Sequence, residues 1–385
     1  MRAYKFRVYP SNEQKALLNQ HMHISKVLWN ELLAMTKDSY RDFGHFTTQR
    51  TMAECVKRSG LYSQVAQQVM IRLHHGINQK FRLKEKGIQR GFPRFKKRID
   101  SLIYPQSGFS LDTTLKVTPF GEIPIKKHRE LKGRIKTLTL KCEPSGKWYA
   151  IFVTDEEPVA PQAPNRSIGI DFNLENFATF SNGERIDNPR FLKAREQRHA
   201  RLQRQLSRKK KGSKNRRKAV KAVAIMHEKV RNSRSDFHHK LSKKLADNYR
   251  TIVVEDLNMN NMNKGMFAKS FHDVGISSFL EKLCYKAESA GGTVIRVDPR
   301  NTTQECSVCG SIVKKSLSQR EHDCPNCGLS LSRDHNAAIN ILKRATVGHT
   351  GSNACGVVAM ATAMKQEAHL LLEVGGCHEK YGEQT

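Results

Sequence analysis

The sequence predicts a mixed fold that combines an α/β domain with a small β-barrel and a helical domain. Three observations support this prediction. Residues 11–86 carry apolar side chains at helical spacing, and residues 101–154 alternate in short runs between glycines and prolines. Further along, two apolar segments with strand character each end in acidic residues. A chain of 385 residues has room for two or three domains with their own cores.

The first half of the chain predicts a barrel that carries a helical insertion. Residues 2–9 alternate as a strand, and Ser11 and Gln14 have the spacing of a capping box that begins a helix. Val65 to Lys86 predicts a second helix, with apolar residues four apart. We expect residues 1–10 and 99–160 to form the barrel and residues 11–98 to form the helical domain.

The segment GFPRFKKR, residues 91–98, interleaves aromatic and cationic side chains. Such a mixture suits stacking on bases and pairing with phosphates. We therefore take Phe92, Arg94, Lys96 and Lys97 as candidates for nucleic-acid binding. The alternative is an ordinary loop in which the two Phe are buried and the charges are solvated.

The second half of the chain predicts an α/β domain that begins at Ser167, after a Pro-rich linker. Strands ending near Asp171 and Glu255 are separated by a short hairpin with Asn182-Gly183 and by helices, and a further strand covers residues 293–297. Three strands, helices, a strand, a helix, a strand and a final helix follow in that order. This order is that of an RNase H-like fold.

Three acids are candidates for catalysis: Asp171, Glu255 and Asp334. Cleavage of a phosphodiester is commonly assisted by two Mg²⁺ ions about 3.5–4 Å apart, and Mg²⁺ prefers oxygen ligands. Carboxylates that converge from two strands and a helix could hold such a pair. Taken singly, each acid is better explained as a turn or cap residue, and Asp334 could be only the N-cap of the last helix. Three acids in this order of elements are much harder to explain as an accident.

Two Cys-x-x-Cys pairs, each followed by Gly, predict a tetrahedral zinc site formed by Cys306, Cys309, Cys324 and Cys327. His322 is a weaker candidate ligand, and redox pairing of the cysteines is the alternative. The other five of the nine cysteines are scattered, which is typical of a cytoplasmic protein rather than a disulfide framework.

The charge of the chain is strongly positive, with 67 Lys and Arg against 36 Asp and Glu and a formal net charge of +31. This excess predicts a polyanionic partner, although a basic structural protein would share it. Residues 193–221 alone hold fourteen Lys or Arg and one acid. From this segment we take five candidate nucleic-acid contacts: Arg204, Arg208, Lys209, Lys210 and Lys211. The alternative is a solvated helical hairpin.

Neither the hydropathy of the chain nor its first residues point to a membrane. No apolar run of about 18 residues predicts a membrane span. The first ten residues, MRAYKFRVYP, lack the apolar segment of a signal peptide. We therefore expect a cytoplasmic protein.

Five segments together resemble TnpB, the RNA-guided nuclease of insertion sequences that is related to type V CRISPR effectors. They are IGIDFNLENFATFSNG, YRTIVVEDLNM, TTQECSVCG, HDCPNCGLSLSRDHNAAINI and GFPRFKKR. The resemblance covers residues 1 to about 345. It implies a RuvC-like nuclease domain at 167–300 and 329–345, a zinc ribbon at 301–328 and an N-terminal wedge barrel with a helical recognition domain. Residues 346–385 match nothing in the family and are expected to be poorly ordered.

The resemblance also implies an activity and its partners. A guide RNA from the transposon end would direct Mg²⁺-dependent cleavage of double-stranded DNA beside a short target-adjacent motif, read in part by Gln68. Asp171, Glu255 and Asp334 correspond to the catalytic acids, and the four cysteines to the zinc ligands. We expect a monomer associated with the nucleoid.

The chain departs from the family pattern at two positions, and other functions stay open. Asn173 stands where Gly is common, and Ser332 where Asp is common. The alternatives are a guided repressor without nuclease activity, an accessory transposition protein or strand transferase, and a plain basic RNA-binding protein.

Overall fold

The computed structural model describes residues 1–89, 91–155, 163–257, 268–316 and 318–346. Most of the predicted linker and all but the first residue of the predicted tail lie outside these ranges. The chain divides into two units, one of Met1–Glu157 with Val220–Ile225 and the other of Pro158–Ala219 with Met226–Thr385.

The first unit contains two antiparallel sheets around one core. Its strands are β1 (Arg2–Val8), β2 (Ser101–Pro105), β3 (Phe109–Leu111), β4 (Leu115–Val117), β5 (Gly121–Ile123), β6 (Ile125–Lys126), β7 (Arg134–Cys142) and β8 (Trp148–Asp155). Five strands pair in the order β2-β7-β8-β1-β6, and three pair in the order β3-β4-β5. The predicted barrel is therefore two open sheets among the described residues, although Phe6, Phe152 and Leu115 share one core.

Three helices lie between β1 and β2: α1 (Asn12–Phe43), α2 (Gln49–Arg58) and α3 (Ser63–Glu85). The capping box predicted for α1 is present, because Ser11 accepts from the Gln14 amide and Gln14 accepts from the Ser11 amide. α2 was not predicted, since its short apolar face of Met52, Cys55 and Val56 covers only two turns. The three helices bury a second core around Leu32, Leu73 and Met52.

The second unit is built on a mixed five-stranded sheet. Its strands are β9 (Ser167–Phe172), β10 (Asn176–Phe180), β11 (Arg185–Asp187), β12 (Thr251–Glu255) and β13 (Thr293–Val297), in the order β11-β10-β9-β12-β13. β9, β10 and β11 form an antiparallel meander, whereas β12 is parallel to both β9 and β13. The strands and their order along the chain are those that the sequence predicts.

The remaining helices are α4 (Glu196–Ser207), α5 (Lys214–Asn248), α6 (Ala268–Val274), α7 (Ile276–Ser289) and α8 (Arg333–Thr346), and they belong to the second unit except for Val220–Ile225 of α5. Two short strands, β14 (Glu321–Asp323) and β15 (Ser330–Ser332), form an antiparallel pair just before α8. α8 packs closely on β9, because a Cβ built at Gly169 would lie 2.8 Å from the backbone nitrogen of Leu342. Glycine therefore allows the helix to approach this strand.

Within the ranges described, no helix combines the length and apolar character that crossing a membrane would require.

Candidate active site and cysteine cluster

Asp171 and Glu255 lie side by side on the two central strands. β9 and β12 are parallel, and Ile170 pairs with Val254, so the next residue on each strand is one of the two acids. Both acids are buried, with exposed fractions of 6% for Asp171 and 8% for Glu255. The sheet register therefore brings together two carboxylates that are 84 positions apart in the sequence.

Asp334 reaches the same place from α8. This helix begins at Arg333, so Asp334 lies in its first turn, where the helix dipole favours a negative charge. The Asn173 side chain, two residues beyond Asp171, donates from Nδ2 to Asp334 Oδ2 at 3.1 Å. Asn173 also accepts from the Asn176 amide at 2.8 Å, which holds its side chain in position.

Burial and neighbouring negative charges destabilise the ionised form of Asp171, and burial destabilises that of Glu255. The pKa of Asp171 is raised well above its usual value by burial and then by the charges of Glu255 and Asp334. Burial also raises the pKa of Glu255, and this effect exceeds the lowering by a hydrogen bond from Thr302 and by the charge of Arg344. Asp171 is thus coupled electrostatically to both other acids. Two adjacent buried carboxylates with raised pKa values suit a divalent cation, which would stabilise their ionised forms.

Thr302 begins the segment TTQECSVCG, but no role was predicted for it from the sequence; in the structure it contacts Glu255. Its Oγ1 lies 2.6 Å from Glu255 Oε1, and both residues are buried. No local sequence pattern predicts this contact, because 47 positions separate the two residues.

The four cysteines converge as predicted from their spacing. Cys306 Sγ lies 3.6 Å from Cys327 Sγ, and Cys309 Sγ lies 3.5 Å from Cys324 Sγ. A disulfide would require about 2.05 Å, whereas four sulfurs around a tetrahedral Zn²⁺ with bonds of about 2.3 Å lie about 3.8 Å apart. The distances therefore contradict redox pairing in this structure and fit a metal site.

Each cysteine pair is closed by a glycine in the left-handed region. Gly310 has φ +75° and Gly328 has φ +71°, and each donates its amide to the carbonyl of the first cysteine of its pair. Hydrogen bonds led by that of Ser311 lower the pKa of Cys309, which favours its thiolate, whereas the pKa of Cys327 in the same cluster is raised.

The two groups of candidate ligands differ in compactness. In the part of the chain that the structure describes, the four cysteines are the only group of three or more potential ligands whose atoms all lie within 4.8 Å of one another. The three carboxylates are spread more widely.

Residues 91–98 form an ordered segment on α1. Trp29 donates from Nε1 to the Arg94 carbonyl at 3.2 Å, and the Asn30 side chain bonds both the amide and the carbonyl of Lys96. The Lys96 ammonium lies 3.4 Å from the centre of the Trp29 ring. Burial and then the charge of Arg72 lower the pKa of Lys96 to about 8.

The two aromatic residues of this segment lie in different surroundings. Phe92 stacks on Phe46, with 5.7 Å between ring centres, and packs against the helical core. Phe95 is instead half exposed, and Lys37 lies over its ring. The alternation of the segment puts the two rings in different surroundings, so Phe95 is the better stacking candidate. Arg94 and Lys97 are exposed, as their proposed contacts require.

Gln68 is only 7% exposed in α3. Its neighbours Val65 and Val69 on the helix are also buried, Val65 in the core of the two sheets and Val69 in the helical core. The polarity of the residue suggested exposure, but its helical phase decides where it lies. In this structure its amide is not presented to base edges, whereas Gln67 is exposed.

The predicted basic hairpin is formed by α4 and α5. Arg204, Arg208 and Lys209–Lys211 are all exposed. Gln197, Arg201, Arg204, Gln205 and Arg208 line a shallow groove along one face of α4. Arg216 donates to the carbonyls of Leu206 and Lys209 and so fixes the turn. The hairpin therefore presents an ordered row of cations.

Three family models match the chain. One described as "probable transposase" matches residues 150–266, and one described as "Cas12f1-like, TNB domain" matches residues 277–341. A third, described as a helix-turn-helix domain, matches residues 1–45, which here hold β1 and the single long helix α1. The second match contains the cysteine cluster and Asp334.

The family follows from relatives that match this chain over nearly their whole length. A protein of Escherichia coli K12, named provisionally as the RNA-guided DNA endonuclease InsQ, is 30% identical over 95% of this chain and 97% of its own length. The chain belongs to the TnpB family. A second member, from Streptomyces pristinaespiralis and also named provisionally as an RNA-guided DNA endonuclease, is 30% identical over 92% of this chain and 91% of its own.

The fold of this family member is of the Cas12 type. A Cas12f1 chain, solved by cryo-electron microscopy in complex with single-guide RNA and target DNA, superposes with a TM-score of 0.55 at 15% identity. The match covers 86% of this chain and 83% of the Cas12f1 chain. At this identity the likeness concerns the fold alone.

Proposed function

We propose that this protein is an RNA-guided DNA endonuclease of an insertion sequence. The observation that carries the proposal is the convergence of three acids on two central strands and one helix in a member of the TnpB family. A guide RNA from the transposon end would supply sequence recognition by base pairing, and the protein would read a short adjacent motif. Because its substrate is DNA, we propose that it acts at the nucleoid.

Asp171, Glu255 and Asp334 are proposed as the catalytic acids and as ligands of two Mg²⁺ ions. Bound there, Mg²⁺ would supply charge stabilisation and an activated water for phosphodiester hydrolysis. The chain itself contributes the fixed positions of the acids, through the register of β9 and β12 and the packing of α8 on Gly169. Burial of Asp171 and Glu255 keeps bulk water from screening their charges. The expected products carry a 5′-phosphate and a 3′-hydroxyl.

Zn²⁺ is proposed for the four cysteines. Four thiolates leave no open coordination position, so this ion would be structural and would take no part in hydrolysis. The proposed zinc ribbon, residues 301–328, lies in sequence between β13 and α8. The ribbon would therefore determine the position at which α8, which carries Asp334, packs on the sheet.

The domain assignments are part of the same proposal. Residues 167–300 and 329–345 would form the RuvC-like nuclease domain. Residues 1–10 and 99–160 would form the wedge domain, and residues 11–98 the helical recognition domain. The two sheets around one core and the three inserted helices support this division.

The basic hairpin is proposed to bind the phosphates of the guide–target duplex or of the displaced strand. Replacing Arg204 and Arg208 with Ala should weaken RNA binding and lower the slope of log affinity against log salt by about 0.7–0.9 for each phosphate that is no longer bound. Filter binding of guide RNA between low and physiological salt would measure this. A matched control is Lys240→Ala with Lys243→Ala, since those lysines pair with Asp236 and Asp247. An equal decrease in both double variants would indicate only a general charge effect.

One experiment tests the function as a whole. The protein is expressed with the native DNA that flanks its gene, and the RNA that copurifies is sequenced. The complex is then given plasmids that carry a sequence matched to the guide, beside randomised flanking DNA, in the presence of Mg²⁺. We expect linear product from a subset of flanking sequences. Guided binding without cutting would favour a repressor, and joined products would favour a strand transferase.

A further inference from the structure

The carboxylate of Glu255 has a hydrogen-bond partner outside the three acids. Thr302 Oγ1 lies 2.6 Å from Glu255 Oε1 and 3.1 Å from the Pro299 carbonyl. A hydroxyl carries one proton, and the nearer, charged acceptor takes it more strongly. Thr302 therefore donates to Glu255 when that acid is ionised. Because Oε1 accepts this hydrogen bond, the other carboxylate oxygen of Glu255, Oε2, is the one more available to bind a cation.

Helix α8 holds Thr302 in place. Asn340 donates both protons of its side-chain amide, one to the Thr302 carbonyl at 2.9 Å and one to the Glu305 carbonyl at 2.7 Å. Both Asn340 and Thr302 are almost fully buried. The hydrogen bond from Asn340 therefore fixes the backbone of Thr302, and with it the position of the hydroxyl that contacts Glu255.

A second asparagine of α8, Asn336, forms hydrogen bonds with the same loop at positions next to Cys306. Asn336 donates to the Glu305 carbonyl at 2.7 Å and accepts from the Ser307 amide at 2.8 Å. Arg344 pairs with the Glu305 carboxylate at 2.8 Å. Since α8 also carries Asp334, one helix sets the position of that acid and of the loop that bears the hydroxyl.

We propose that Thr302 is a positioning residue for Glu255, held by Asn340, and that its hydroxyl orients this carboxylate for a divalent cation. The inference rests on the proposed function and adds a residue that does not itself touch the cation or the DNA. Neutral partners of this kind typically contribute about 10–100-fold to metal affinity or activity. Without the hydroxyl, Glu255 Oε1 would lack this partner in a buried site, and its carboxylate could rotate.

The test compares Thr302→Val, which keeps the branched shape but removes the hydroxyl, with Thr302→Ser, which keeps the hydroxyl. The full chain is used with its guide RNA. Two quantities are measured: the Mg²⁺ concentration for half-maximal cleavage, and the rise in melting temperature with added Mn²⁺, which needs no turnover. We expect Thr302→Val to require about 10–100-fold more cation in both assays and Thr302→Ser to stay near wild type. Thr303→Val makes the same chemical change one residue along and serves as the control.

The possible outcomes separate the two proposals. A Thr302→Val variant equal to wild type in both assays would overturn the positioning role. So would a Thr302→Ser variant as impaired as Thr302→Val, because packing and not the hydroxyl would then matter. The positioning role would also be overturned if the Thr302→Val chain failed to fold without cation while Thr302→Ser folded, because the hydroxyl would then act on folding. A wild-type complex that never cleaves would instead contradict the proposed function, while the Mn²⁺ melting shifts would still test Thr302.

Discussion

Replacing Asp171 with Asn should abolish DNA cleavage while guide RNA stays bound, and Glu255→Gln should do the same. Each change keeps the shape of the side chain and removes the negative charge. The charge stabilisation that a bound metal supplies is worth several kcal/mol, which corresponds to a decrease of about 1,000-fold or more. Plasmid linearisation measures cleavage, and the yield of copurified RNA measures guide binding.

The same substitution should raise stability in the absence of metal. Burial and two neighbouring acids raise the pKa of Asp171, so its ionised form is less stable in the folded than in the unfolded chain. This unfavourable contribution is present above the folded-state pKa and disappears as the pH falls below the unfolded-state pKa. The amide introduced by Asp171→Asn carries no charge, so the melting temperature in a chelating buffer should rise most at neutral and alkaline pH.

Asp256 provides the matched control for both acids. It directly follows Glu255 but is half exposed and pairs with Arg296 at 3.3 Å. Asp256→Asn should therefore leave cleavage near the wild-type rate. Undiminished cleavage by Asp171→Asn or Glu255→Gln would refute the assignment of the catalytic acids.

Replacing Cys309 with Ser should remove one zinc ion per chain and destabilise the region around the cysteines. In zinc-finger peptides the binding free energy of structural zinc is about 10–16 kcal/mol, and most of it acts as folding free energy. Elemental analysis would count the zinc, and limited proteolysis would locate the new cleavage sites, which we expect within residues 301–328. Cleavage of DNA should also fall, because Asn336 and Asn340 tie α8 to the loop that leads into Cys306.

Cys55 provides the control for this experiment. It is a buried cysteine of α2 in the first unit, far in sequence from the cluster. Cys55→Ser should keep the full zinc content even if the helical core is weakened. Wild-type zinc content in Cys309→Ser, or an unchanged melting temperature after zinc is chelated from the wild-type chain, would contradict the structural role.

Local patterns predicted much of this protein because neighbouring residues decide them. The capping box at Ser11 and the turn glycines at 310 and 328 depend on residues within a few positions. The strands that carry Asp171 and Glu255 follow from runs of apolar residues bounded by turns. Helix α2 was missed because its apolar face is too short for a clear period.

Two candidates for nucleic-acid binding are less exposed than their chemical type suggested, for one physical reason. Gln68 and Phe92 were chosen for their chemical type, whereas their exposure depends on which face of an element meets the core. For Gln68 the helical phase places it beside Val65 and Val69. For Phe92 the ring of Phe46, which follows the end of α1, stacks on it. Neither relation can be read from the polarity of a single residue.

The sequence by itself determined the elements, the four-cysteine spacing, the excess of positive charge and the acids at the ends of strands. Only the tertiary structure decided which of these groups meet. Asn173 and Asp334 are 161 positions apart, and Thr302 and Glu255 are 47 apart, yet each pair is in hydrogen-bond contact. Sheet register and the close packing of α8 on Gly169 set these contacts. Such long-range contacts leave no periodic signal, because they depend on how whole elements pack together and not on the residues beside them.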